Sequence, residues 1–340
     1  MILLDAFNFL LVFCCCIFLS YIFFYLNADS VKWLACTAKD FLCAIFMTII
    51  YILKAWFNFF YAYHKDLKNE IVLLTGASGG IGKLLAKKLV QKGCILILID
   101  IDTFGLEEVS QTLNETFQQQ VAYPFKCDIS NYDEICLIKK KIVETIGNPT
   151  IIINNAGVVA GKYFFDLKPK EIQKTFEVNI LSHFWVVQLF LPHMLEMNHG
   201  HIVSVASILG LDSFAGVSEY GASKAAAVNF MKSLRQELRL INKNGVHCTT
   251  VLPFHTSTDM FKGFGSRFKN FFLLKVLDPD YVAERIIDAV ERNQTTLYIP
   301  KILYVIITLL SVLPDNSYDV IADFFKVNHS MQSFLGKKVL

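Results

Sequence analysis

A tyrosine and a lysine placed four residues apart are the first side chains in this sequence that could do chemistry together. Tyr220 and Lys224 lie in the alanine- and glycine-rich stretch YGASKAAAV. On a helix this spacing puts both side chains on one face, and a nearby ammonium favours a phenolate, which can take a proton from an alcohol. The same spacing occurs at Tyr61 and Lys65, so spacing alone does not distinguish a catalytic pair from two ordinary helix residues.

The elements that must position such a pair are short apolar runs alternating with longer amphipathic stretches. The runs cover residues 71–75, 94–100, 121–125, 150–154, 201–206, 246–252 and 296–299. Helical periodicity is present near residues 80–92, 104–118, 131–146, 169–198, 219–241 and 279–292. Continuous apolar strands that alternate with helices predict βαβ units and a parallel sheet covered on both faces. We therefore expect one doubly wound α/β domain of the Rossmann type with a seven-stranded parallel sheet.

The first predicted strand continues into the glycine-rich stretch TGASGGIGK. Thr75 and Gly76 end the strand, and Gly80 and Gly82 begin the next helix. Such a turn lets the backbone approach a pyrophosphate at the helix N-terminus, although glycines alone also fit a tight turn in any α/β protein. The next strand ends at Asp100, 18 residues after Gly82, where a carboxylate can bind both hydroxyls of an adenosine ribose. This position favours a dinucleotide site over a simple turn.

Taken in order, these stretches resemble the short-chain dehydrogenase/reductase family. The family motif Thr-Gly-x-x-x-Gly-x-Gly is present from Thr75 to Gly82, and its Asn-Asn-Ala-Gly motif is present at residues 154–157. The resemblance covers residues 69–300 and implies an NAD(P)-binding domain there. The cofactor contacts that it implies are Thr75, Gly76, Ser78, Gly80, Ile81, Gly82, Asp100, Asp128, Asn155, Ala156, Gly157, Tyr220, Lys224, Pro253 and Thr258.

The same resemblance implies a catalytic group made of Asn179, Ser207, Tyr220 and Lys224. It implies that Tyr220 takes the hydroxyl proton of an alcohol while a hydride leaves for nicotinamide, and that Lys224 also holds the nicotinamide ribose. Ser207 follows the fifth predicted strand and is expected to hydrogen-bond the substrate oxygen. Asn179 is expected to hold a water in a proton path to solvent. No motif residues of this kind accompany Tyr61 and Lys65, so this pair is interpreted as lying at the membrane interface.

The identity of the cofactor depends on residues at its two ends. Asp100 favours NAD, because its carboxylate would repel the 2′-phosphate of NADP, although Asp102 lies close enough in sequence to share this role. In NADP-preferring relatives a basic residue often precedes the second motif glycine, whereas this chain has Gly79 there. Thr256 and Thr258 are both candidates for a contact to the nicotinamide carboxamide, and Thr258 fits the family pattern better.

The N-terminal part of the chain predicts attachment to a membrane. Mean hydropathy is +0.44 over 340 residues, and no charged residue occurs from residue 6 to residue 28. We expect residues 6–28 to span a bilayer within an anchor formed by residues 1–63. The run 41–53 is short for a span, so residues 41–63 are predicted as a hairpin arm or interfacial helix. The run 302–313, in the apolar tail 301–340, is interpreted as a membrane-lying helix, a dimer face or a buried core helix.

Charge and cysteine content exclude several classes of protein. The net charge is +2 and basic residues are scattered, so no nucleic-acid partner is expected. Five of the nine cysteines lie in the first 43 residues, and no Cys-x-x-Cys pair occurs. This pattern predicts a reduced body without a disulfide framework or metal site. Because basic residues follow the anchor, the body is expected to face the cytosol.

The expected substrate is a lipophilic small molecule. The stretches INNAGVVAGKYFFD and HGHIVSVAS are similar to a membrane-associated branch of the family that contains retinol and 17β-hydroxysteroid dehydrogenases. This similarity implies a retinoid or a steroid as substrate, on the endoplasmic reticulum membrane or lipid droplets, and a homodimer is a further expectation. Six phenylalanines in residues 254–277 predict either a lid over the substrate or packing on the domain. A lipid-surface protein that keeps the cofactor fold only for structure is the alternative of another class.

Overall fold

The computed structural model describes residues 28–60, 64–265, 274–331 and 334–335. The chain divides into two compact units, residues 1–63 and residues 64–340. The expected transmembrane segment at residues 6–28 lies outside the described residues, apart from Ala28, which begins the first helix.

The first unit contains one long helix, α1, from Ala28 to Phe60, with 33 residues. Its stretch Cys36–Leu53 is apolar and long enough to cross a membrane by length and composition alone. The sequence predicted a separate short segment beginning at residue 41, and the structure differs from that prediction. The polar residues before residue 41 do not end the helix, because backbone hydrogen bonds continue through them regardless of side-chain polarity.

The second unit is built on a seven-stranded parallel sheet, as the alternation of strands and helices predicted. The strands are β1 (Ile71–Thr75), β2 (Ile95–Asp100), β3 (Ala122–Lys126), β4 (Ile151–Asn154), β5 (Gly200–Val205), β6 (Val246–Pro253) and β7 (Thr296–Ile299). Their order is β3-β2-β1-β4-β5-β6-β7, and every neighbouring pair is parallel. This is a Rossmann-type α/β fold. The order reverses between β1 and β4, where such sheets bind ligands at the carboxyl ends of the strands.

Helices cover both faces of the sheet. They are α2 (Gly80–Gln91), α3 (Thr103–Phe117), α4 (Tyr132–Thr145), α5 (Pro169–Phe176), α6 (Ser182–Met197), α7 (Ser218–Leu240), α8 (Pro279–Glu291), α9 (Ile302–Leu310) and α10 (Asp315–Phe325). The helix expected at residues 169–198 is interrupted by a π-helical turn, Glu177–Leu181. Alternate strand residues serve opposite faces: Val72 and Leu74 belong to one buried apolar cluster and Leu73 to the other.

The C-terminal region begins with a helix whose apolar side chains are largely exposed. In α9 only Leu303 is buried, whereas Tyr304, Val305 and Leu309 are exposed. The structure therefore excludes a buried core helix, one of the three interpretations of this run. After α10 the chain returns to the body of the domain, where Met331 is buried.

Candidate functional site

The glycine-rich loop between β1 and α2 is tightly packed on its inner side and open at the start of the helix. Gly76 has a φ of +67°, and a Cβ there would lie 2.8 Å from the Cα of Ala156. A Cβ on Gly82 would lie 2.0 Å from the carbonyl oxygen of Gly76. Gly79 caps α2 without a side chain, and Gly79 and Gly80 are exposed. The first backbone N–H groups of α2 are thus accessible to an anion.

The Asn-Asn-Ala-Gly motif after β4 supports this loop directly. Asn155 Nδ2 donates to the carbonyl oxygens of Thr75 and Gly76, at 3.0 and 3.1 Å. The backbone N–H groups of Asn155 and Ala156 donate to Thr75 Oγ1. The structure thus explains why two motifs that are 80 residues apart in sequence occur together.

Asp100 and Asp102 have different roles at the end of β2. Asp100 is half-buried, and its carboxylate accepts from the N–H groups of Ser78 and Asp102, at 2.9 and 3.1 Å. Asp102 caps α3, its carboxylate accepting from Gly105 N. Because Asp102 is engaged with its own helix, Asp100 is the better candidate for binding a ribose. Lys83 forms an ion pair with Glu108 at 3.2 Å, so its charge is partly compensated.

Asp128 lies directly after β3, and its carboxylate is held by protein groups. Lys174 Nζ lies 2.9 Å from one oxygen, and the other accepts from the N–H and hydroxyl groups of Ser130. Burial alone would raise the pKa of Asp128, but the hydrogen bonds from Ser130 and Lys174 outweigh it and hold this pKa below its usual range. The expected contact to adenine remains a prediction for an ionised Asp128.

The structure brings Ser207, Tyr220 and Lys224 together. Tyr220 lies in the first turn of α7, and the side chain of Ser207, which follows β5, is close enough to its phenol to influence its pKa. Lys224 Nζ lies 5.7 Å from the centre of the Tyr220 ring and donates to the carbonyl oxygen of Val205 at 2.8 Å. All three side chains are buried. A Cβ on Gly157 would lie 3.4 Å from Lys224 Nζ, which places the group beside the motif that supports the glycine loop.

Asn179 lies on the π-helical turn and ties the loop after β4 to α7. Its Nδ2 donates to Val158 O and to Ser223 Oγ, both at 2.9 Å, and its Oδ1 accepts from Val158 N at 2.8 Å. Three of the four hydrogen bonds that an asparagine amide can form are therefore used within the protein. One lone pair of Oδ1 remains for the water that the sequence predicted. π-Helical turns of this kind often occur at functional sites.

Burial dominates the electrostatics of this group. It raises the pKa of Tyr220 above its usual value, and the interaction with the Ser207 side chain only partly opposes this effect. Burial also lowers the pKa of Lys224 to about 8. The sequence-based argument expected Lys224 to lower the pKa of Tyr220, whereas in this structure the group that opposes the effect of burial is Ser207. The reason is geometric: the ammonium of Lys224 is directed to the Val205 carbonyl and faces the tyrosine ring.

The segment after β6 places the two candidate threonines differently. A Cβ on Gly80 would lie 3.1 Å from Thr258 Cγ2, so Thr258 lies against the glycine-rich loop. Thr256 is buried, and its hydroxyl donates to the carbonyl oxygen of Phe254. This arrangement favours Thr258 over Thr256 for a cofactor contact. Pro253 ends β6 beside β7.

The phenylalanines after β6 pack on the domain and also cover the site. Phe261 stands edge-on to the Tyr220 ring, with centroids 5.5 Å apart, and Phe264 is buried in the same apolar cluster. Phe254 and Ile81 pack against the core on the side of α2. Phenylalanines 268, 271 and 272 lie outside the described residues.

Two titratable residues near the site were not singled out from the sequence. Glu219 directly precedes the candidate tyrosine; it is buried and accepts from Ala160 N at 2.9 Å. His183 lies one turn after the candidate asparagine, and burial together with the charge of Lys224 lowers its pKa to about 3. Both are close in sequence to a motif residue, which is the only signal that could have identified them.

Three residues far from this site in sequence come close enough to share a cation. They are His64, Asp288 and Glu291. Lys92 lies 2.5 Å from Glu291, and Arg292 lies 2.6 Å from Asp288. Because both carboxylates already have cationic partners, their attraction for a metal ion is reduced.

Comparison with known proteins gives matches over most of the chain. A sequence model of the family described as short chain dehydrogenase matches residues 70–267. The chain is 38% identical over 274 residues to epidermal retinol dehydrogenase 2 of Mus musculus, a match that covers 81% of this chain and 88% of that protein.

Solved structures share the fold. A short chain dehydrogenase/reductase from Burkholderia phymatum, in complex with NAD, matches with a TM-score of 0.63 and 25% identity, covering 71% of this chain and 92% of that one. L-sorbose reductase from Gluconobacter frateurii, complexed with NADPH and L-sorbose, matches with a TM-score of 0.61 and 18% identity, covering 69% and 97%.

Proposed function

The chain belongs to the short-chain dehydrogenase family, and we propose that it oxidises a lipophilic alcohol with NAD, retinol being converted to retinal. It is an oxidoreductase that depends on a nicotinamide dinucleotide. The observation that carries the proposal is the buried group of Ser207, Tyr220 and Lys224 next to the loop that contains Gly76. Retinol is the first choice of substrate because a relative that is 38% identical is named as a retinol dehydrogenase.

The residues present fit a dinucleotide. The uncapped start of α2 at Gly79 is suited to the pyrophosphate, and Asp100 at the end of β2 is suited to the adenosine ribose. When bound, NAD supplies the acceptor for the hydride that leaves the alcohol carbon. We assign the nicotinamide ribose to Lys224 and the carboxamide to Thr258.

Tyr220 is the group that takes the hydroxyl proton of the substrate. Its phenol lies beside the side chain of Ser207, so an alcohol oxygen that approaches both hydroxyls would be held by Ser207 while its proton passes to Tyr220. Because burial raises the pKa of Tyr220, the phenolate fraction, and with it the rate of oxidation, should increase as the pH rises. Asn179 and Lys224 then provide the route by which the proton leaves toward solvent.

NAD is proposed over NADP because of the charge at the end of β2. A 2′-phosphate would lie against Asp100, and like charges in a partly dry cleft disfavour binding. Asp102 caps a helix, and Lys83 is paired with Glu108. Asp100 is therefore the group that determines the preference for NAD over NADP.

We propose a location on the endoplasmic reticulum membrane or lipid droplets, with the body facing the cytosol. The support is the length and apolar character of α1 and the membrane attachment that the sequence predicts for residues 1–63. The exposed apolar side chains of α9 are candidates for contact with lipid or with a second copy in a homodimer.

A steroid or another lipid alcohol, processed by the same residues, is the second candidate function. The apolar cluster beside Tyr220 would suit either substrate, because it offers shape and apolar surface in place of specific hydrogen bonds. Turnover by membranes containing the full chain, measured with retinol, estradiol and a fatty alcohol, distinguishes the candidates.

The test of the catalytic assignment is the substitution Tyr220→Phe. We expect turnover to fall by about 100-fold or more, because general acid–base catalysis contributes this much, while NAD binding is retained. Tyr61→Phe, at the second Tyr-x-x-x-Lys position, is the matched control and should change little. A Tyr220→Phe protein that keeps most of its activity would show that another group moves the proton.

A further inference from the structure

The catalytic hydroxyls are closed off by an apolar cover. Tyr220 is 4% exposed and Ser207 is 7% exposed. The Phe261 ring stands against the tyrosine ring, and Val159, Val217 and Phe264 belong to the same cluster. Among the described residues, this cover leaves little of Tyr220 and Ser207 exposed.

Part of the cover comes from the C-terminal end of the chain. The name C-terminal strap is used here for residues 327–331 and 334–335. Met331 is buried in the cluster that contains Tyr220, and Phe334 packs against that cluster. The centroid of the Phe334 ring lies 6.5 Å from that of Phe261. A segment more than 100 residues after the catalytic tyrosine thus forms one wall of its surroundings.

Backbone hydrogen bonds join the strap to the segment after β6. Leu335 N donates to Lys262 O at 2.8 Å, and Gly265 N donates to Ser330 O at 2.9 Å. A third bond joins Ala215 N to the side chain of Asn328. The strap and the segment that carries Phe261 are therefore linked parts of one cover.

Two glycines make room for the side chains of the strap. A Cβ on Gly161 would lie 2.3 Å from Phe334 Cε1, and a Cβ on Gly216 would lie 2.8 Å from Met331 Cβ. Both glycines have positive φ angles, +65° and +87°, which other residues rarely adopt. Phe334 and Met331 can thus occupy these positions because the backbone at Gly161 and Gly216 comes close to their side chains.

We propose that Met331 and Phe334 determine substrate specificity: they form the wall that contacts the apolar part of a long lipophilic alcohol whose hydroxyl lies at Tyr220. Phe214, Met260 and Phe261 also pack against this cluster, so much of the surface around the Tyr220 hydroxyl is apolar and suits a ligand with a single polar end. Methionine adapts to irregular shapes, and a phenylalanine ring offers a large flat surface. The inference rests on the proposed function and deepens it.

The test compares retinol with prenol, a short allylic alcohol that lacks the long apolar chain. In Phe334→Ala we expect kcat/KM for retinol to fall at least about tenfold relative to prenol, because the apolar contact with a large, partly buried ring is lost. Phe117→Ala, at the far end of α3, is the matched control and should leave this ratio unchanged. If the wild-type chain is active and Phe334→Ala leaves the ratio of the two alcohols unchanged, the inference is wrong.

A second variant tests the other side chain of the wall. Met331 is buried in the cluster that contains Tyr220, so Met331→Ala should also lower kcat/KM for retinol relative to prenol. An unchanged ratio of the two alcohols in Met331→Ala would overturn the assignment of Met331. A failure of the proposed function gives a different result from a failure of this inference, because the wild type would then oxidise no lipophilic alcohol.

Discussion

Burial of the Lys224 ammonium should lower the free energy of unfolding of this protein below pH 8. Lys224 is 3% exposed, and burial lowers its pKa from 10.5 to about 8. This difference corresponds to about 3 kcal/mol. Below pH 8 the lysine is charged in both the folded and unfolded states, and folding bears the full cost of burying the charge.

The cost should disappear as the pH rises from 8 to 10.5. In that range the unfolded chain still binds the proton and the folded protein has released it, so the free energy of unfolding increases with pH. The substitution Lys224→Met removes the titrating amine and with it this dependence of stability on pH. It also leaves the carbonyl oxygen of Val205 without its partner, at a cost of about 1–3 kcal/mol that does not depend on pH.

The measurable quantity is therefore the difference in stability between the two proteins at two pH values. Relative to Lys224→Met, the wild type should gain about 3 kcal/mol between pH 7 and pH 10.5, or about 6–12 °C in Tm for a domain of this size. Other groups titrate in both proteins and cancel. The assay is thermal unfolding of the full chain in detergent without added cofactor, together with turnover, which Lys224→Met should lose.

An exposed lysine on the same helix provides the control. Lys232 lies two turns after Lys224 on α7 and faces solvent, so Lys232→Met should follow the wild type at both pH values. If the difference between the wild type and Lys224→Met does not change with pH, the ammonium is not buried at a cost and the electrostatic reasoning fails.

Three further predictions concern the cofactor and the orientation of the chain. Gly82→Ala should abolish NAD binding, because its Cβ would lie 2.0 Å from the carbonyl oxygen of Gly76, whereas Gly79→Ala should weaken it much less, because its Cβ would lie 3.3 Å from the same oxygen; calorimetric titration with NAD checks both. The wild type should prefer NAD over NADP in kcat/KM, and Asp100→Ser should reduce this preference; an unchanged ratio, or a wild type that prefers NADP, contradicts the assignment. Gln118→Asn with Gln120→Thr creates an exposed glycosylation sequon after α3 that should stay unmodified in cells, and glycosylation there would place the body in the lumen.

An engineered sequon is useful because two of the three natural Asn-x-Ser/Thr sequons, at Asn114 and Asn328, are poor reporters of orientation. Asn114 accepts hydrogen bonds from the N–H groups of Val121 and Ala122, and Asn328 accepts one from Ala215 N. These amides are used by the fold, so their lack of modification would carry no information about the compartment. The position of Gln118 is exposed and has a φ of +50°, which asparagine tolerates well.

The sequence by itself determined the sheet and the order of its motifs. The strand predicted at residues 71–75 is β1 (Ile71–Thr75), and the run 296–299 is β7. These predictions succeed because a parallel sheet buried on both faces requires continuous apolar runs, a local property that spacing reveals. The pairing of Tyr220 with Lys224 also follows from one helical turn, and the motifs identify the remaining partners.

Only the tertiary structure decided how groups that are distant in sequence share space. It placed the side chain of Ser207 beside the phenol of Tyr220, directed Lys224 to a backbone carbonyl and assigned Asp102 to a helix cap. It also returned the strap residue Phe334 to the apolar cluster that contains Tyr220. Neither the direction of a pKa shift nor the wall of a pocket is a property of local spacing. Both depend on which surfaces exclude water from a side chain, and that is determined only when segments more than 100 residues apart pack together.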